Sequence, residues 1–165
     1  MIIQQKIGQL HFFEQNDRQI DFIYLEWYEA RKKILRKLTA GGKEISLKFL
    51  NESAVHSDGD VLFADDISII AVSILPCDCI VIQPATLFEI ASVCYDIGNK
   101  HLPLFYDAEE LLVPFEKPLH TLLKAQGYKV KQQNRKLLHL LKTSVAPHAG
   151  RNDSLFSKIM KLTTS

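Results

Sequence analysis

Two helix-sized segments, each fenced by its own start and stop residues and flanked by short apolar strands, constrain this chain more than any other feature. Pro84 precedes Thr86-Leu87-Phe88-Glu89, where a threonine followed three residues later by glutamate forms a capping box, and Gly98-Asn99 supplies the stop. Between them Leu87, Ile90, Ala91 and Cys94 recur at helical spacing and predict the buried stripe. Pro118 opens a second helix with Leu119, Leu122 and Leu123 on one face, and Gly127 closes it. Strands are predicted over residues 79–82, 102–106 and 111–115, the last two around the acidic turn Asp107-Ala108-Glu109-Glu110, and a final one begins at Tyr128. The resulting order, β-α-β-β-α-β, is the ferredoxin-like arrangement.

The first half has a different rhythm. Residues 20–25 form an apolar run rich in β-branched and aromatic side chains. Residues 34–38 lead through Ala40-Gly41-Gly42-Lys43 into the alternating Ile45-Ser46-Leu47-Lys48-Phe49, the pattern of a hairpin. Trp27, Ala30, Ile34 and Leu38 also fit a helical stripe, and the reading taken here is strand for the second part of that stretch. Asp58-Gly59-Asp60 makes a turn before Val61-Leu62-Phe63, and a long apolar strand then ends at Pro76. The expected class is therefore α+β: a β-rich N-terminal domain of the peptide- or partner-binding type over 1–76, a ferredoxin-like domain over 77–142, and a flexible tail over 143–165.

Composition narrows the partners. A formal net charge of +1 over 165 residues lacks the basic excess of a nucleic-acid binder. Met1-Ile2-Ile3-Gln4-Gln5-Lys6 has no basic region followed by an apolar one, and the apolar stretch 67–75 is too short to span a bilayer, so the expectation is a soluble cytoplasmic protein with no membrane partner. Three cysteines, Cys77, Cys79 and Cys94, are expected to be reduced thiols.

No Gly-rich phosphate loop, Ser-His-Asp set or Cys-His nucleophile pair is present, which argues against an enzyme. His120 follows Leu119 directly and sits beside the apolar stripe of its helix, where the plainer reading is a surface imidazole. If two copies of the chain pair about a two-fold axis, however, His120 can meet its own image, and two neutral imidazoles begin a site for Ni(II), Cu(II) or Zn(II). His101, between a helix stop and a strand, is read as hydrogen-bonding freed helix carbonyls, and His139, among leucines, as a satisfied structural residue. His148 lies in the tail, whereas His11 and His56 offer nothing specific. Cys77 and Cys79 point to one side of a strand and could chelate a soft metal, though buried thiols are the simpler reading. Arg31-Lys32-Lys33 with Arg36-Lys37 could dock an acidic partner, against the alternative of a solvated face balanced by nearby acids.

Taken together, Leu25-Glu26-Trp27 with Arg31-Lys32-Lys33, Gly42-Lys43-Glu44, Asp58-Gly59-Asp60-Val61-Leu62, and above all Gly98-Asn99-Lys100-His101 followed by Leu119-His120-Thr121-Leu122-Leu123 resemble the UreE urease accessory protein family, over roughly residues 15–132. The resemblance implies a nickel metallochaperone. It implies a homodimer in which His120 of each chain binds Ni(II) across the two-fold interface, with His148 as an auxiliary ligand and Zn(II) or Cu(II) as in vitro substitutes. It also implies delivery to the urease apoprotein through an assembly that includes an accessory GTPase. The chain departs from the family pattern at Thr121, where an aspartate is common, at Asn134-Arg135-Lys136-Leu137-Leu138-His139, where a proline- and glutamate-rich segment is usual, and in lacking a histidine-rich tail. A non-metal interaction module that dimerises through its ferredoxin-like half is the alternative function.

Overall fold

In the computed structural model, residues 1–14, 17–50 and 55–141 are described. Twelve strands and two α-helices follow in the order β1 (Ile2–Ile3), β2 (Gly8–Gln9), β3 (Gln19–Leu25), β4 (Ile34–Leu38), β5 (Glu44–Lys48), β6 (Asp60–Ala64), β7 (Ser68–Ile74), β8 (Cys77–Ile82), α1 (Leu87–Asn99), β9 (Phe105–Asp107), β10 (Glu110–Pro114), α2 (Lys117–Ala125), β11 (Val130–Arg135) and β12 (His139–Leu140) among the described residues. The fold class is the α+β one that the residue pattern implied.

The N-terminal strands form two sheets, β2-β6-β7-β3 and β1-β5-β4. Alternation explains how they face each other. Ile23 and Leu25 from β3, Ile45 and Leu47 from β5, and Ile70, Val72 and Ile74 from β7 turn into one core with Phe49 and Leu62. The β4–β5 hairpin turns at Gly42, whose φ of +84° is the left-handed conformation that glycine adopts without strain. The strand reading of 34–38 holds. Residues 27–31 make a single tight turn, closed by the Ala30 amide donating to the Glu26 carbonyl (3.3 Å), so the competing helical stripe is not realised.

His56, which the sequence left without a role, is a core residue. It is 2% exposed, its ring stands edge-on to Phe49 at 4.8 Å, and Nε2 lies 3.2 Å from the Lys32 carbonyl. Burial lowers its pKa, with Lys6 adding to that and the Lys32 carbonyl and Asp60 opposing it.

The C-terminal strands form one sheet in the order β11-β8-β10-β9-β12. The first four are the 4-1-3-2 order of a ferredoxin-like unit. β12 is an addition the sequence did not announce: after β11 the chain crosses to the opposite edge, inserts Leu137 beneath the sheet and pairs His139 with Tyr106. Ile80, Ile82, Leu111 and Val113 face α1 and α2, while Cys79, Val81, Leu112 and Phe105 face Leu137, Leu140 and Trp27. Trp27 thus joins the two halves, edge-on to Phe105 at 5.7 Å, and the Lys136 ammonium reaches the Asp58 carboxylate at 2.8 Å. No described helix is long and apolar enough to cross a membrane.

Candidate metal centre

The elements that carry the candidate ligands meet at one end of the C-terminal sheet. β10 ends at Pro114, paired with Cys79 near the start of β8, and α2 begins three residues later. α1 ends only a short loop before β9, whose first residue Phe105 pairs with Leu112 and so lies toward that same end. The C-terminus of α1, bearing His101, and the first turn of α2, bearing His120, therefore share one end of the helical layer.

α2 starts with Pro118 in its first turn and buries Leu119 and Leu123. His120, one position round the helix, is half-buried with its ring 5.8 Å from the Phe115 ring, a contact that restricts the imidazole. Thr121 turns its hydroxyl back to donate to the Lys117 carbonyl at 3.0 Å. Leu122, expected on the buried face, is 39% exposed.

α1 begins as the sequence predicts: Thr86 Oγ1 accepts from the Glu89 amide at 3.1 Å while Glu89 Oε2 accepts from the Ala85 amide at 2.6 Å. Its buried stripe and its end differ from expectation. Val93 and Ile97 are the buried residues, whereas Leu87, Ile90 and Ala91 are exposed. The reason is angular. At about 100° per residue the apolar positions from Val93 round through Ile97, Ile90, Cys94, Leu87, Ala91 and Tyr95 to Phe88 sweep an arc of about 220°, roughly twice what one sheet face covers. Leu87 (82% exposed), Phe88 (80%) and Tyr95 (71%) are left in solvent.

The helix runs through Gly98 and Asn99, and the left-handed residue that terminates it is His101, with φ of 55°. Backbone amides make the cap: Lys100 N donates to the Asp96 carbonyl (3.3 Å), His101 N to Gly98 (3.0 Å) and Leu102 N to Ile97 (3.3 Å). The expected side-chain capping by His101 is absent, and its imidazole is exposed.

The other candidates separate from this end or from metal chemistry. His139 is exposed, against the expectation of a satisfied structural residue, and packs its ring on Tyr106 at 5.4 Å from the far sheet edge. Cys79 is fully buried and its thiol donates to the Gln133 carbonyl at 3.3 Å. Burial, reinforced by the neighbouring Cys79, pushes the Cys77 thiol up to about 11, and burial raises Cys79 as well, so both thiols carry their protons at neutral pH in the metal-free chain. Among the described residues no three His, Cys, Asp or Glu side chains converge as a metal site within one chain. His148 lies outside the described residues.

Known proteins resemble this chain in sequence over both halves. The model of the UreE urease accessory protein N-terminal domain matches residues 3–75, and that of the UreE C-terminal domain matches residues 77–138. A urease accessory protein UreE from Flavobacterium johnsoniae is 42% identical over 163 residues, covering 98% of this chain and 99% of its own length. One from Helicobacter pylori is 38% identical over 156 residues, covering 92% of each. One from Actinobacillus pleuropneumoniae is 40% identical over 130 residues, covering 79% of this chain and 70% of its own. With both halves matched and relatives aligned end to end, the chain belongs to the UreE family of urease accessory proteins, a family named for an accessory role and not for catalysis.

Proposed function

We propose that this protein is a nickel metallochaperone of urease maturation, which binds Ni(II) where two copies meet through their ferredoxin-like halves. The observation that carries the reading is the exposed apolar face of α1, in the same helical layer as His120, in a chain whose described residues contain no three-ligand site of their own. Burying that face against a second copy would bring two sets of the same histidines together. Two neutral imidazoles with water or carboxylate oxygens suit Ni(II), and such a site, open to ligand exchange, can release its cargo. Proton competition for imidazole makes binding weaken on acidification. Residues 1–76 would then meet partners and 77–142 hold the metal, within a cytoplasmic assembly of accessory GTPase and urease apoprotein. His148 remains an auxiliary ligand in this reading.

One observation favours a second assignment of the shared ligand. His101 is exposed at a left-handed backbone position that costs energy for a side chain with a Cβ, and its imidazole has no capping duty. It stands at the same end of the layer as His120.

Calorimetric nickel titration with mass determination on the same samples, for the native chain, His120→Ala and His101→Ala, tests the reading. One tight nickel per dimer, lost in the His120 variant, supports His120 as the shared ligand. Loss in the His101 variant alone moves the shared pair to His101, and loss in both makes the site a four-imidazole one. A dimer that binds no nickel supports the interaction module instead.

A further inference from the structure

β4 is the outer strand of the three-stranded sheet, and no strand lies beyond it among the described residues. Two hydrogen bonds fix the phase of its ladder with β5: the Phe49 amide donates to the Lys33 carbonyl and the Thr39 amide to the Lys43 carbonyl, both at 2.9 Å. In an antiparallel pair, bonded and non-bonded positions alternate. Residues 33, 35, 37 and 39 therefore bond to β5, and Ile34, Arg36 and Leu38 turn their N–H and C=O groups outward. Those groups have no hydrogen-bond partner among the described residues. The free edge ends just past Leu38, where the Ala40 amide donates to the Phe22 carbonyl at 2.8 Å.

The side chains at the same three positions also face solvent. Ile34 is 62% and Leu38 63% exposed, with Arg36 between them. Arg36 contacts Glu44 at 3.6 Å, but both side chains are mostly in water, so the pair is weak. Lys37 and Lys32 are committed elsewhere, at 2.7 and 3.9 Å from the Glu29 carboxylate. Arg31, Lys33 and Lys48, which stands opposite Ile34, have no ion pair among the described residues. The edge thus offers backbone donors and acceptors, two apolar contacts and a cationic surround.

We propose that the β4 edge docks an extended segment of a partner protein, which adds a strand beside Ile34–Leu38 with a carboxylate opposite Arg36 and apolar side chains opposite Ile34 and Leu38. Backbone bonds would supply affinity, and the apolar-acidic-apolar alternation would supply specificity. Self-pairing of two β4 edges about a two-fold axis at Arg36 sets arginine against arginine, which disfavours the register that would pair the whole edge with a second copy. The proposal makes no demand on nickel and stands or falls apart from the metal site.

Amide hydrogen exchange and chemical shifts on the full chain, with the blocked peptides TVTETVT and TVTKTVT as probes, test it. The acidic peptide is expected to shift and protect the amides of Ile34, Arg36 and Leu38, and the lysine peptide to bind several-fold more weakly. Arg36→Glu should reverse that preference. Arg36→Pro deletes an outward N–H but no β4–β5 bond, so it should abolish binding while leaving the other shifts in place. No protection by the acidic peptide, or unchanged preference in Arg36→Glu, overturns the proposal. So does protection of these amides without peptide, which assigns the edge to a second copy if it grows with concentration and to the chain itself if it does not.

Discussion

α1 and α2 cover the same face of the same sheet and are anchored alike, by Val93 and Ile97 in one and Leu119 and Leu123 in the other. They differ in what they turn outward. Around its anchors α2 presents Lys117, Thr121 and Lys124 with a single large apolar side chain, Leu122, among them. α1 presents Leu87, Phe88, Ala91 and Tyr95, a second apolar face continuous with the first. Two helices with the same structural task thus differ in a property that their own fold does not require, and that surplus is the face the proposed dimer would bury.

The comparison can be broken most severely by charging the surplus. In Phe88→Glu with Tyr95→Glu, four aromatic rings would leave a two-fold interface, each worth about 1.5–3 kcal/mol of burial, so the dimer dissociation constant should rise by about 1,000-fold or more. Light scattering across a dilution series reads this, and far-UV circular dichroism should stay native because neither ring packs in the core. A dimer of unchanged strength would remove α1 from the interface and with it the main support for a shared metal site.

A smaller effect sharpens the distinction between anchor and surplus within α1. Ile97→Ala should cost about 2–5 kcal/mol of stability, as for other buried isoleucines, because it leaves a cavity in the core cluster that Ile97 shares with Ile80, Val113 and Leu123. Phe88→Ala, measured in the charged monomeric background at Tyr95, should cost under about 0.5 kcal/mol. Urea unfolding of the two variants checks the ratio, and comparable losses would mean that Phe88 packs inward.

What the sequence revealed, and what it did not, follows the range of the interactions. The β4–β5 hairpin was legible because alternation and Gly41-Gly42 act locally, and the start of α1 because Thr86 and Glu89 lie three residues apart. The buried face of α1 was not legible: an apolar arc of about 220° contains two possible core faces, and only the sheet selects Val93 and Ile97. Its end was misjudged by two residues because Gly98 and Asn99 remain helical while His101 takes the left-handed position. β1, β2 and β12, two residues each, carry too little periodicity to be seen and exist by pairing with distant strands. The buried role of His56 was not legible because the Phe49 ring and Lys32 carbonyl that enclose it come from other segments. At the candidate site, single imidazoles were readable, but the proposed convergence would depend on a second copy, which no single chain encodes as a local pattern.

The finest contrast between the helices lies in their first turns. α1 has a threonine cap that satisfies one of its free amides, whereas Glu116 at the corresponding position of α2 makes no side-chain cap, although its backbone is extended as a cap requires (φ −133°, ψ 122°). Thr86→Ala should therefore cost about 0.5–2 kcal/mol, and Glu116→Ser should return a smaller gain, on the order of 0.5 kcal/mol. Thermal unfolding at fixed protein concentration would register shifts of about 2–4 °C per kcal/mol in a chain of this size, downward for the first variant and upward for the second. Because His120 is the fourth residue of α2, a tighter first turn should also hold the imidazole more rigidly. If Glu116→Ser raises the melting temperature and leaves nickel affinity unchanged, the start of α2 is already ordered when metal arrives. If affinity rises with stability, part of the metal-binding energy in the native protein is spent on ordering that turn, as suits a carrier that must later let its cargo go.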